Sequence, residues 1–87
     1  MTLPNNRAVT SIDREVAARL RALRLERSLT LEQLAHKTGV SYQQILKYER
    51  ADCRISVSRL FELAVALDVP LARFFEGITL ATEAAHA

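Results

Sequence analysis

Three side chains stand out for the chemistry they could do together: Gln43, Lys47 and Arg50. Counted at about 100° per residue, an amide, an ammonium and a guanidinium at these spacings fall on one arc of a helix. Leu46 shares the arc and Tyr42 sits at its edge. The opposite side carries Ile45, Tyr48 and Glu49, a core face with one carboxylate in it. Donor-rich rows of this kind read base edges in the major groove of DNA. Polar residues on an exposed helix face are common, so the row gains meaning only from the element that carries it.

That element spans Thr30 to Glu49, TLEQLAHKTGVSYQQILKYE. It contains two helix starts. Thr30 with Gln33 has the spacing of a capping box, and Leu29 with Leu34 that of a hydrophobic staple. Ser41 with Gln44 repeats the box, and Val40 with Ile45 the staple. Gly39 lies between them, where a left-handed residue can end one helix and aim the chain into the next. The spacing predicts helix 2 from Leu31 to about Thr38 and helix 3 from Tyr42 to about Arg50. Two helices joined by a short glycine turn form a helix-turn-helix, an outline shared with a plain helical hairpin.

Elements on either side must hold this unit. Ile12, Val16, Leu20 and Leu23 form an amphipathic stripe and predict helix 1 from Ser11 or Ile12 to about Arg27. Helix 4 starts at Ser56, stapled by Ile55 and Leu60, with an inward stripe of Val57, Leu60, Leu63, Ala64 and Leu67, and ends near Asp68. Pro70 opens a short helix 5 with Leu71, Phe74 and Phe75, stopped by Gly77. The domain thus spans 11–77. Residues 1–10 read as a flexible arm, and the apolar-leaning tail 78–87 as helical, frayed or paired with another chain.

Composition sets the bounds. The chain has 87 residues, enough for one small domain. An apolar content of 49% suits a folded core, and the scarcity of glycine and proline, two each, favours an all-helical domain. Residues 1–50 carry nine Lys/Arg against five Asp/Glu, and residues 51–87 three against five, so the basic half fits an anionic partner. Cys53 is the lone cysteine, which excludes an intrachain disulfide and fits a reducing compartment. No apolar run approaches membrane-spanning length and no signal peptide is evident, so a cytoplasmic location is expected. The two histidines, one thiol and scattered carboxylates form no catalytic or metal-binding set at recognisable spacing, so neither enzyme, metal nor cofactor is expected.

From about Val16 to Glu76 the sequence resembles the Cro/repressor-type (XRE-like) helix-turn-helix family, through LRALR (20–24), LTLEQLAHKTGVS (29–41), YQQILKYE (42–49) and RISVSRLFELAVALDVPLARFF (54–75). The resemblance implies a five-helix, lambda-repressor-like all-α domain that binds double-stranded DNA as a transcriptional regulator, with helix 3 in the major groove and two copies on a palindromic operator. An antitoxin or adaptor that binds a protein partner is the alternative. Three positions depart from the family pattern. Leu31 replaces a frequent glutamine, and Ser28 and Ala51 stand where glycines are usual.

Roles follow from the helix 3 arc and from the resemblance together. Gln43 and Lys47 are assigned to base edges, and Tyr42 to a thymine methyl or a phosphate. Arg54 resembles the family's backbone contact, while Thr30, Ser41, Gln44 and Arg50 are left between backbone contact and other roles. The resemblance pairs Arg24 with Glu49, which needs a partner because it faces inward. Phe61, Phe75, Ile78 and Leu80 are left over once the core is filled and are assigned to a dimer contact.

Overall fold

A computed structural model describes residues 9–78. The expected arm up to residue 8, Leu80 and the rest of the tail lie outside the described residues. Within them the chain forms four α-helices and one 3-10 helix, with no strand. The α-helices are α1 (Ser11–Glu26), α2 (Leu31–Thr38), α3 (Tyr42–Glu49) and α4 (Val57–Leu67). The fifth element, the short helix expected after Pro70, is a single 3-10 stretch, Leu71–Phe75. Pro70 and Gly77 bracket it too closely for a longer helix, and 3-10 geometry is the usual form for such short pieces.

Each α-helix begins on a side-chain cap. Thr10 caps α1 and forms a full box with Asp13, and Thr30 does the same with Gln33 for α2. Ser41 accepts from the Gln44 amide and Ser56 from the Arg59 amide. Such caps satisfy amides that have no partner inside the helix, each worth about 1 kcal/mol.

The core joins all five elements. Leu20, Leu34, Ile45, Leu63, Leu67 and Phe74 are its largest fully buried side chains, with Leu23, Val40, Tyr48 and Leu60 around them. Leu29, Leu31 and Ile55 pack against it, half-buried. Val57 departs from the expected α4 stripe: it is 81% exposed. It is the first residue of α4, and the inner face of the helix is filled from Leu60 onward.

Helix ends show a shared device. After α1, Ser28 N–H donates to the Leu25 carbonyl and Leu29 N–H to that of Arg24. After α3, Ala51 N–H donates to Tyr48 and Asp52 N–H to Lys47. After α4, Asp68 N–H donates to Val65 and Val69 N–H to Ala64. All three are Schellman closures with a left-handed residue at the turn, at φ of 58° for Ser28 and Ala51 and 56° for Asp68. Only α2 ends on the residue best suited to this geometry, Gly39 at φ 74°.

The strain is testable. An L-residue held left-handed costs about 1–2 kcal/mol, and glycine gives back about 0.4–1 kcal/mol of that through the unfolded chain. Ala51→Gly is expected to stabilise the domain by about 0.5–1 kcal/mol in urea denaturation. Gly39→Ala should destabilise it by about the same net 0.5–1 kcal/mol, since a Cβ there meets nothing within 4 Å and only the backbone conformation counts.

Candidate nucleic-acid interface

The position of α3 is fixed from behind. Ile45 is fully buried and Tyr48 nearly so. Glu49 receives a fork of two bonds from Arg24 on α1, Nε to Oε2 at 2.6 Å and Nη2 to Oε1 at 3.0 Å. The remaining arm of that guanidinium, Nη1, donates to the Leu29 carbonyl at 2.8 Å, just ahead of the α2 cap. The two side chains are 9% and 3% exposed. The hydrogen bond to Glu49 outweighs burial and holds the Arg24 guanidinium above its ordinary pKa. One arginine therefore ties α1, the entry to α2 and the end of α3 together.

The turn between α2 and α3 is closed locally. Gly39 N–H donates to the Ala35 carbonyl at 2.8 Å. Thr38 Oγ1 donates back to Leu34 and lies 3.3 Å from the Val40 N–H, which donates to it. Val40 and Ile45 are both buried at the hinge, so the angle between the helices is set by packing as well as by the glycine.

With its inner face locked, α3 leaves Tyr42, Gln43, Lys47 and Arg50 exposed along its other side, with Leu46 half-buried between them. Ser41 and Thr30 are exposed caps whose hydroxyls are engaged by helix amides. Gln44 does not complete the second capping box. Its Nε2 donates to the Cys53 sulfur at 3.3 Å. The loop after α3 folds back along that helix and offers the amide a partner there. Cys53 is a free thiol, half-buried in this contact.

Arg54 follows Cys53 and is not isolated. Its Nε donates to Asp13 Oδ2 at 3.0 Å, bridging the loop to the first turn of α1. Thr10 N–H and its hydroxyl donate to the same oxygen, at 2.8 and 2.9 Å. Burial pushes the Asp13 carboxyl up, but the bonds from Thr10 and Arg54 outweigh it and hold the group below its usual range. Sequence reasoning missed Asp13. The Thr10-x-x-Asp13 spacing was the available signal, since a hydroxyl three residues before an acid marks a helix start.

Phe61 is 59% and Phe75 44% exposed, Phe75 lining a concavity with Asp13, Cys53 and Val57, whereas Ile78 packs against the core half-buried. Of the two adjacent phenylalanines, Phe74 rather than Phe75 fills the core. Among the described residues, no three or more His, Cys, Asp or Glu side chains cluster as a metal site. None of the described helices is long and apolar enough to cross a membrane.

Two short helices set at a glycine turn, the second pinned inward by a buried ion pair and basic outward, make up a helix-turn-helix of the Cro/repressor type. A family model described as helix-turn-helix matches residues 20–74, and the chain belongs to that family of DNA-binding regulators. It is 45% identical over 74 residues to an uncharacterized transcriptional regulator in the ATPase CF(0) region of Rhodospirillum rubrum, covering 85% of this chain and 68% of that protein. An HTH-type transcriptional regulator of Rickettsia conorii is 42% identical, with 84% of this chain and 58% of that protein covered. The chain thus spans a little over half to two thirds of these relatives. Among solved structures, the restriction-modification controller protein C.AhdI from Aeromonas hydrophila superposes with a TM-score of 0.72 at 29% identity, covering 76% of this chain and all of that one. The clp gene regulator ClgR from Corynebacterium glutamicum superposes with a TM-score of 0.73 at 26% identity, covering 76% and 86%. The chain is a transcriptional regulator with a helix-turn-helix DNA-binding fold.

The pin behind α3 can be measured. Removing one partner of a buried pair strands the other charge, at about 3–5 kcal/mol. Glu49→Ala and Arg24→Ala are each expected to destabilise by that amount in urea denaturation. The double variant should lose much less than the two losses added together. Strict additivity would mean that the two charges act independently.

Proposed function

We propose that the protein binds one operator sequence in double-stranded DNA as a homodimer and represses transcription there, with α3 lying in the major groove. The observation that carries this reading is the division of α3. Its inner face is committed to the core and to Arg24, while Gln43, Lys47 and Arg50 are exposed together on the outer one. A helix held this rigidly presents its donors at a fixed height and angle, which reading base edges requires.

In this reading Gln43 meets an adenine and Lys47 a guanine. Tyr42 reaches a thymine methyl or the backbone, and Arg54 meets a phosphate. Thr30, Ser41, Gln44 and Arg50 lie at the margin of the contact, and Gln44 serves it by holding the loop that carries Arg54. A single domain of this size reaches few phosphates, which favours two copies on half-sites about one turn apart. The exposed Phe61 and Phe75 supply apolar surface for that pairing. A place beside the chromosome in the cytoplasm follows from the same reading.

Selection from a random duplex pool tests the proposal directly and should return one inverted repeat. On that operator, Gln43→Ala and Lys47→Ala should each lose about 1–3 kcal/mol and relax preference at one base pair. Arg54→Ala should weaken operator and scrambled DNA alike and make the salt slope shallower by about one unit. Equal loss on both duplexes for Gln43→Ala would remove that residue from base reading.

Pairing has its own test. Sedimentation should show dimers at micromolar protein with operator present, and Phe61→Glu should shift them to monomers without unfolding the domain. A monomer at all concentrations, with or without operator, would leave the palindrome unexplained.

A further inference from the structure

The capping boxes of α1 and α2 do the same job with different third residues. Gln33 closes the α2 box with a neutral amide, its Oε1 accepting from Thr30 N–H at 2.8 Å. Asp13 closes the α1 box with a charged carboxylate at the same distance. Capping alone does not require the charge, since glutamine serves equally at this position. What the carboxylate adds is its bond to Arg54, 41 residues further along the chain.

The surroundings give that bond a direction. The Gln44–Cys53 contact draws the loop back against the first turn of α3, and Arg54 is the next residue. The same loop therefore touches α3 through Cys53 and the first turn of α1 through Arg54. A carboxylate here has an electrostatic disadvantage, because it would repel an approaching phosphate. It offsets that only by fixing a cation. A guanidinium has five N–H donors in a rigid fork, so one nitrogen can rest on a carboxylate while others meet a phosphate.

Resting on the DNA-binding reading above, we propose that Asp13 is a positioning residue for DNA binding: it holds the Arg54 guanidinium by Nε in the orientation in which it meets the operator backbone. The side chain is ordered before DNA arrives, so its ordering is not charged against binding. Asp13 itself touches no DNA.

The test uses Asp13→Gln, which copies the working Thr30–Gln33 box and preserves the cap, and Asp13→Glu, which keeps both cap and charge. Net charge alone predicts that Asp13→Gln binds DNA more tightly, because a negative charge is gone. Positioning predicts the opposite sign, a loss of about two- to tenfold on the operator, the scale for ordering one long side chain. Asp13→Glu should stay within about twofold of the parent protein. In an Arg54→Ala background, Asp13→Gln should lose nothing further. A stability role alone, through the cap or the helix dipole, would lower the melting temperature and leave the affinity of the folded protein unchanged. The proposal is overturned if Asp13→Gln binds the operator as tightly as the parent or tighter, or if its loss is the same with and without Arg54. Should the parent protein enrich no duplex at all, the DNA-binding reading falls and this one with it, an outcome distinct from either of those.

Discussion

A buried charge sits at the centre of this small domain, and the rest of the structure depends on how it is satisfied. Arg24 and Glu49 are both nearly removed from water. Neither could be left there alone, because an unpaired buried ion carries a penalty of several kcal/mol. Two forked bonds to the carboxylate and one to the Leu29 carbonyl meet that demand. A hydrophobic pair of equal volume could stabilise as well or better. What the ion pair contributes is direction, since a guanidinium fork fits a carboxylate in few orientations. An error in the rotation of α3 would break the fork, whereas an apolar contact would tolerate it. For a helix proposed to line its outer side chains up with base edges, that intolerance is useful.

The second constraint is chain economy. Five helical elements are packed into fewer than 70 residues by short connections, and three of the four connections turn through a non-glycine residue in the left-handed region. Each strained turn also places an apolar residue or an anchor immediately afterwards. Leu29 staples α2 after Ser28, and Val69 is buried after Asp68. After Ala51 the chain reaches Cys53 and Arg54, which return the loop to α3 and to α1. The strain is therefore located where the following residues are held by packing or by hydrogen bonds, which lets a small core keep it.

These constraints divide the surface. The α3 side is polar and basic, with an acid, Asp13, tied to the loop cation beside it. The α4 side exposes Val57, Phe61 and Val65, an apolar line at helical spacing. The two are not fully separate: Asp13 and Cys53 line one concavity with Val57 and Phe75.

Much of this was legible in the sequence, because much of it is local. A cap and a staple act over three to five residues, so Thr30, Ser41 and Ser56 marked the starts of α2, α3 and α4 without reference to the rest of the chain. The helical repeat fixes angle around an axis, so the division of α3 into Ile45, Tyr48 and Glu49 on one side and Gln43, Lys47 and Arg50 on the other followed from counting. The tertiary structure decided what counting cannot reach. Periodicity put Val57 on the inner stripe, but it cannot say how far along the helix a neighbour extends, and Val57 remained in solvent. Gln44 has the spacing of a capping partner, yet a sulfur nine residues away took its amide once the loop folded back. Asp13 and Arg54 lie far apart in sequence, and no local rule could join them. The path of the loop between α3 and α4 made them neighbours, because the distance between two side chains is set by the packing of every element between them.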